Sequence, residues 1–231
     1  MENVITNEQS HFILETRGLT KYYGGVHALE GANFTLRKGE HVAIVGDNGA
    51  GKSTLLRVIA SVLRPQRGEV MWRGGGVSSS WDYRRKVGWL PHEGLHYGEL
   101  TARQNLNLVL QMASRPLDDA EGLLKRVKLE PHADRLVDGF SAGMRRRLGL
   151  ARLLAWSPEL ALLDEPRAQL DQEGMQLIDD VVEELRKDGS TVVMATHEPS
   201  YWAKVASHHA HLRGGMLASF SPLAQGEAAH A

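Results

Sequence analysis

Apolar and polar positions follow two different periods along the chain, and the period changes from region to region. Short strand-like runs are closed by turn residues, as at Lys38-Gly39 and at the glycines 74–76. Two later runs are almost continuously apolar, which is typical of strands buried on both faces of a sheet. The pattern predicts strands at 12–15, 32–36, 42–45, 69–72, 87–90, 160–163 and 191–194.

The segment from about 100 to 157 is rich in leucine and has helical periodicity, with apolar residues at Leu106, Val109, Leu110 and Ala113. It contains no convincing strand, and a further helix is predicted at 173–187. Strands that alternate with helices indicate an α/β fold with a parallel sheet. We therefore expect one domain over 11–220 with an inserted α-helical subdomain at about 98–157, and hence two lobes.

A glycine-rich loop lies between the predicted strand 42–45 and a predicted helix, and this is the context of a phosphate-binding loop. Its glycines let the backbone wrap a phosphate, and the helix start offers free N–H groups and a favourable dipole. Lys52 can reach the β- and γ-phosphates, and the Ser53 hydroxyl can bind Mg²⁺. The loop consists of Gly46, Asp47, Asn48, Gly49, Ala50, Gly51, Lys52, Ser53 and Thr54.

Two adjacent carboxylates, Asp164 and Glu165, end the apolar run at 160–163. Neighbouring strand residues point to opposite faces, so the two carboxylates need different roles. Asp164 is suited to coordinate Mg²⁺, either directly or through a water molecule, because hard cations prefer oxygen ligands. Glu165 suits a general base that orients an attacking water.

A helix is predicted to begin after Ser141, which is a suitable N-cap, and to continue to about Trp156. Its N-terminus would be the second in the chain with free N–H groups that can bind an anion. The arginines 145–147 follow in its first turns. No aromatic residues interleave with them, so we expect a solvated basic face that attracts phosphate rather than a nucleic-acid patch.

Composition narrows the possible classes of protein. The formal net charge of −1 gives no reason to expect nucleic acid as a partner. The absence of cysteine excludes disulfides, thiolate metal sites and thiol catalysis. The longest apolar candidate for a membrane span, 148–163, is interrupted by Arg152, Pro158 and Glu159, so we do not expect the chain to span a membrane by itself. Docking on a membrane protein stays open.

Over about 12–216 the order of these motifs resembles the nucleotide-binding subunit of ATP-binding cassette (ABC) transporters. The resemblance implies a P-loop NTPase with a RecA-like core that binds ATP and Mg²⁺. It also implies a homodimer on ATP binding and an ABC transmembrane subunit as partner, at the cytoplasmic face of the membrane. The resemblance also assigns the motif residues. Tyr23 would stack on adenine, His92 would lie in the Q-loop, and residues 140–144 would form the signature motif. Asp164 and Glu165 would end the Walker B strand, residues 168–171 would form the D-loop, and His197 would be the switch histidine.

In such a dimer, Ser141 and Gly143 would contact the nucleotide held by the other copy. The chain departs from the family pattern at Ala142 and Met144 in the signature, at Gln169 in the D-loop, and at His92, where a glutamine is usual. His92 is nevertheless expected to take part in catalysis, because an imidazole can bind a Mg²⁺-held water.

One branch of the family, the ATPase of the heme exporter used in cytochrome c maturation, is similar to the chain in several short segments. These are His92-Glu93, 141–143, the arginines 145–147 and the run 99–106. ATPases of drug or polysaccharide exporters share most of these features. A soluble ABC protein and a P-loop kinase are further alternatives. A soluble ABC protein usually has two cassettes in one chain, and a P-loop kinase does not need a signature helix.

The histidines at 208, 209 and 211 suggest a metal or heme site at first sight, since His209 and His211 would share one strand face. No further ligand is evident, so surface histidines on a late strand are the preferred interpretation.

Overall fold

The computed structural model describes residues 12–77, 80–168, 170–197, 202 and 205–222. Within them, the strands are β1 (Phe12–Tyr23), β2 (Val26–Arg37), β3 (His41–Val45), β4 (Arg67–Trp72), β5 (Gly75–Gly76), β6 (Val87–Leu90), β7 (Leu160–Asp164), β8 (Thr191–Thr196), β9 (His208–Arg213) and β10 (Met216–Pro222). The α-helices are α1 (Lys52–Ile59), α2 (Trp81–Lys86), α3 (Ala102–Met112), α4 (Asp119–Arg126), α5 (Ala142–Trp156) and α6 (Gln172–Lys187).

The chain divides into two compact units, one made of residues 1–84 and 195–231 and the other of residues 85–194. In the first unit, β2, β1, β4 and β5 form an antiparallel sheet in that order. Strand β1 has its first residues from Ile13 to Leu19 largely buried, whereas its last residues, Tyr22 and Tyr23, are exposed. The sheet therefore ends in two accessible aromatic rings.

A second group of strands in the first unit positions the phosphate loop. β3 is buried along its whole length and pairs in parallel with β9, with Val45 opposite His211. β10 returns antiparallel to β9. The rings of Phe34 in β2 and Phe220 in β10 lie 5.7 Å apart, so the two groups of strands pack against each other.

The second unit combines parallel strands with helices. β6 pairs in parallel with β7, and both are apolar runs with little exposure. Helix α5 packs closely on β6, since a Cβ at Gly149 would lie 2.7 Å from Cδ1 of Leu90. Helix α3 starts at a capping box of Thr101 and Gln104.

These elements confirm the predicted α/β fold with parallel strands, and the predicted helices and buried strands lie where the periodicity puts them. Residues 12–37 and 67–76 form a separate antiparallel sheet, which the sequence pattern does not predict. Strands β1 and β2 are also much longer than expected, because cross-strand pairing extends through polar residues. Between Leu90 and Leu160, a stretch described in full, the structure has no strand. The single domain over 11–220 and the subdomain limits of 98–157 remain predictions.

Among the described residues, no helix is long and apolar enough to span a bilayer.

Candidate nucleotide-binding site

The phosphate loop connects β3 to α1 and is closely surrounded by main chain. A Cβ at Gly46 would collide with the carbonyl oxygen of Leu212, and one at Gly51 with that of Ala28. Gly51 is also the residue before α1 and has a φ of 105°, in the left-handed region. Glycine is thus required at both ends of the loop by close backbone approach.

Lys52 is buried and folds back over the loop. Its ammonium Nζ donates hydrogen bonds to the carbonyl oxygens of Gly46, at 2.6 Å, and Asp47, at 3.2 Å. The loop is also tied to the β9–β10 turn, since the Gly215 N–H donates to the Ala50 carbonyl at 3.0 Å. These bonds hold the positive charge of Lys52 against the first two residues of the loop.

A cavity of about 500 Å³ opens at this loop and contains two imidazoles. Its walls are the segment 45–48 together with His197 and His211. His197 directly follows β8, whereas His211 reaches the cavity because β9 runs parallel to β3. His211 is exposed, as predicted for a histidine on a late strand. Its position beside the phosphate loop could not be predicted from the sequence.

The rings of His209 and His211 lie 6.3 Å apart on the same strand. Burial, and then the charge of His211, lower the pKa of His209. No group of three His, Cys, Asp or Glu in the described part of the chain could hold a metal ion.

Tyr23, the expected adenine contact, is the last residue of β1 and is 50% exposed. The ammonium of Lys21 lies 5.5 Å from the centre of its ring. An accessible ring beside a cation is a suitable surface for stacking a nucleobase.

The two carboxylates of the second unit differ in environment. Asp164 is the last residue of β7 and is buried, whereas Glu165 is partly exposed and has a φ of 46°. A left-handed conformation is unusual for a residue other than glycine and costs about 1–3 kcal/mol. The backbone therefore turns sharply at Glu165 and separates the two side chains.

Arg146 holds this turn in place. It is buried, and its Nη2 donates to the carbonyl oxygens of Asp164, at 2.8 Å, and Glu165, at 2.6 Å. Its Nε donates to Pro166 at 3.1 Å, and its Nη1 to Pro91 at 2.5 Å. One guanidinium thus ties the first turns of α5 to the ends of β6 and β7.

The expectation of a solvated basic face was therefore wrong for Arg146. The helical period puts Arg146 on the same face as the buried Leu150. Burial lowers its pKa to about 10, although the charges of Asp164 and Glu165 oppose this effect. Arg147 is also largely covered and pairs with Glu173 at 2.7 Å.

Replacing Arg146 with alanine is expected to lower the free energy of unfolding by about 3–5 kcal/mol, because four carbonyl groups, three of them in buried hydrogen bonds, lose their donor. For a chain of this size that corresponds to a fall in Tm of roughly 10 °C. The control is Arg126→Ala, which removes a surface ion pair with Glu184 and is expected to cost about 1 kcal/mol or less. Thermal unfolding followed by circular dichroism measures both, and equal shifts would contradict the role of Arg146.

The start of α5 matches its prediction. Ser141 is the N-cap, and its hydroxyl accepts a hydrogen bond from the Met144 N–H at 3.2 Å. Ser141 and Ala142 are exposed, and Gly143 is partly exposed in the first turn. The N-terminus of a helix of 15 residues therefore faces the surface with accessible N–H groups.

The remaining motif residues lie on loops. His92 is exposed and follows Pro91 at the end of β6, and its carbonyl oxygen lies 3.5 Å from Nη1 of Arg146. Gln169 of the D-loop lies outside the described residues.

The donors proposed for Mg²⁺, the Ser53 hydroxyl in the first turn of α1 and the buried Asp164 carboxylate, are hard oxygen ligands. Mg²⁺ is usually bound by one or two carboxylates together with substrate phosphates rather than by a cage of side chains. Each of the two groups, taken by itself, has the oxygen donor chemistry that Mg²⁺ prefers.

Together, the parallel strand, the glycine loop and the lysine at the helix start define a P-loop nucleotide-binding protein. Comparison with known proteins narrows the class. The family model for ABC transporters matches residues 29–168. The putrescine transport ATP-binding protein PotG of Escherichia coli is 37% identical over 193 residues, covering 80% of this chain and 51% of its own length.

Two further relatives cover more of their own length. The lantibiotic transport ATP-binding protein SrtF of Streptococcus pyogenes is 33% identical over 187 residues and covers 80% of both chains. The solved structure of an ATP-binding cassette, a dimer in a post-hydrolysis state bound to ADP and Pi, superposes with a TM-score of 0.84 at 29% identity. It covers 91% of this chain and 99% of its own.

The chain belongs to the ATP-binding subunits of the ABC transporter family. It spans between 44% and 61% of the length of the first curated relatives it matches.

Proposed function

We propose that the chain is the ATP-hydrolysing subunit of an ABC transporter. The proposal is based on two helix N-termini in one chain, each with free N–H groups that can bind an anion. One is α1 with its phosphate loop and Lys52, and the other is α5, capped by Ser141 and exposed. In a head-to-tail homodimer, each ATP would be held by the loop of one copy and by Ser141 and Gly143 of the other.

Each site residue has a chemical role in this proposal. Tyr23 stacks on adenine, Lys52 neutralises charge on the β- and γ-phosphates, and His197 contacts the γ-phosphate. Glu165 accepts a proton from the attacking water, and His92 binds a water near the metal. Mg²⁺, held by Ser53 and Asp164, would neutralise charge on the phosphate oxygens.

The solved dimer with ADP and Pi supports both the dimeric arrangement and the hydrolytic activity by similarity. Phosphate release by the purified chain, measured with and without Mg²⁺, tests the enzymatic part. Absence of ATP-dependent release under both conditions would contradict it.

The partner in this proposal is an ABC transmembrane subunit that docks beside residues 89–97, with the chain as a peripheral protein on the cytoplasmic face of the membrane. Tyr97 and Leu95 in this segment are more than half exposed, which supports an interaction surface. Nucleic acid is not proposed as a partner.

We propose the heme exporter of cytochrome c biogenesis as the particular transporter. Its support is the combination of His92-Glu93, Ser141-Ala142-Gly143 and the arginines 145–147. The run 99–106 gives less support, because Thr101 caps α3 and the buried Asn105 amide bonds the Tyr97 backbone, which are structural roles. PotG and SrtF are named for other transported substances, and a drug or polysaccharide exporter is the alternative.

Deleting the gene for this chain is expected to remove holocytochrome c while leaving cytoplasmic heme proteins intact. A heme stain of membrane c-type cytochromes, with and without a plasmid that restores the chain, makes the measurement. Normal staining in the deletion strain would discard heme export and leave the ABC ATPase proposal in place.

A further inference from the structure

The imidazole of His211 lies on β9, beside the first residues of the phosphate loop. His211 pairs in parallel with Val45, the residue before Gly46, and neighbouring strands lie about 4.8 Å apart. The next residue of β9, Leu212, has its carbonyl oxygen so close to Gly46 that a Cβ at Gly46 would collide with it. Main-chain packing therefore fixes the position of His211 relative to the start of the loop.

Lys52 indicates which part of a bound nucleotide lies near this ring. Its ammonium donates to the carbonyl oxygens of Gly46 and Asp47, at 2.6 and 3.2 Å, and a lysine at this position of a phosphate loop reaches the β- and γ-phosphates. Gly46 and Asp47 also line the cavity of about 500 Å³ that contains His197 and His211. The lysine that reaches the terminal phosphate and the His211 ring therefore share two wall residues of one cavity.

His211 can present a charged N–H donor in this cavity. It is exposed, whereas His209 on the same strand is partly buried. Burial, and then the charge of His211, lower the pKa of His209, which favours the neutral form of His209. An imidazole gains its proton between about pH 5 and 8, and an imidazolium donates strong hydrogen bonds to phosphate oxygens. His211 is therefore the member of the pair that is suited to bind an anion.

The groups around this ring carry more positive than negative charge. Lys52 is bonded to two residues of the cavity wall, and Arg213 lies two residues further along the same face of β9. His197 adds a second imidazole, and Asp47 contributes a carboxylate that opposes these charges. The residue opposite the ring in β10 is the uncharged Ser219. A phosphate group with two negative charges is attracted to such a surface.

We propose that His211 is a further phosphate-binding residue of this site, and that its imidazolium donates a hydrogen bond to the γ-phosphate of bound ATP. His197 lines the same cavity, so two imidazoles would contact one phosphate group. ADP lacks this phosphate, so the contact favours ATP over ADP. The contact weakens as the pH rises and the imidazole loses its proton. The inference rests on the proposed function, because it takes ATP as the bound nucleotide.

Nucleotide affinity of the full chain tests the proposal, with His211→Phe as the variant that keeps a flat ring and removes both nitrogens. Equilibrium dialysis at pH 6 measures the binding of ADP and of AMP-PNP, an ATP analogue that resists hydrolysis. His211→Phe is expected to bind AMP-PNP about 5- to 10-fold more weakly than wild type, and ADP within about twofold. His209→Phe, two residues away on the same strand, is the matched control and is expected to bind both nucleotides within about twofold of wild type.

The pH dependence distinguishes a charged contact from a structural role. The ratio of wild-type to His211→Phe affinity for AMP-PNP is expected to fall from about 5- to 10-fold at pH 6 to about twofold at pH 8, where imidazole is neutral. Titration of His197 and of the nucleotide itself is common to both chains and cancels in this ratio. His211→Gln supplies an uncharged N–H donor, so it is expected to match wild type at pH 8 but not at pH 6.

Three results would overturn the inference. They are equal AMP-PNP affinity in wild type and His211→Phe, an equal loss of affinity for ADP and AMP-PNP, and a ratio that does not change with pH. In each of these cases the wild-type chain still binds nucleotide, so the proposed function stands. If the wild-type chain binds neither nucleotide, the proposed function fails, and the role of His211 fails with it.

Discussion

Glu165→Gln is expected to preserve ATP binding, to lower the rate of hydrolysis by about 10²- to 10⁴-fold, and to trap an ATP-bound dimer. The amide retains the shape of the side chain but cannot accept the proton of the attacking water. The substitution leaves in place the hydrogen bond that Arg146 donates to the carbonyl oxygen of residue 165. Size-exclusion chromatography with ATP and Mg²⁺ and phosphate release measure the two effects.

The matched control is Glu184→Gln, which replaces a surface carboxylate that pairs with Arg126. It is expected to hydrolyse ATP at the wild-type rate and to remain monomeric at the end of the reaction. If Glu165→Gln also remains monomeric with ATP, the proposed head-to-tail homodimer is wrong. If it hydrolyses ATP normally, Glu165 is not the base.

Lys52→Ala is expected to reduce hydrolysis by about 10²-fold or more, because the phosphates lose the charge that the loop holds in place. The loop itself also loses the hydrogen bonds to the carbonyl oxygens of Gly46 and Asp47. Lys52→Met also lacks the ammonium but keeps most of the side-chain volume, so it separates the effect of the lost charge and hydrogen bonds from that of lost packing. Phosphate release and nucleotide binding by equilibrium dialysis are measured for both variants.

Lys187→Ala, at an exposed position near the end of α6, provides the control and is expected to be as active as wild type. Near-normal turnover in both Lys52 variants would refute the assignment of the phosphate loop. Loss of activity in Lys52→Ala alone would mean that hydrolysis requires the side-chain volume at position 52 and not the ammonium.

The phosphate loop, the helix α5 capped by Ser141 and the two carboxylates at the end of β7 could all be placed from the sequence. Each is a contiguous segment whose chemistry depends on its own residues and on the strand or helix beside it. Ser141 is an example, since its cap needs only the N–H of Met144, three residues further on. The buried strands were equally clear, because continuous apolar runs require burial on both faces.

Contacts between distant segments were decided by the tertiary structure alone. Arg146 looks like a member of a solvated run of arginines, yet it bonds Pro91, 55 positions before it in the chain, and Pro166, 20 positions after it. The helical period indicates which face it occupies, but not that the ends of two strands bring free carbonyl groups to that face. A buried guanidinium is stable there only because those carbonyl groups replace the water it loses.

The position of His211 was decided in the same way. Its sequence neighbours predict a strand, and the structure confirms the strand, but its position beside the phosphate loop depends on parallel pairing with Val45. Local sequence determined which segments are strands, helices and phosphate-binding turns, because backbone conformation and burial pattern are local properties. The pairing of strands and the partners of buried charges were decided only by the tertiary structure. Both depend on which groups from distant parts of the chain take the place of water.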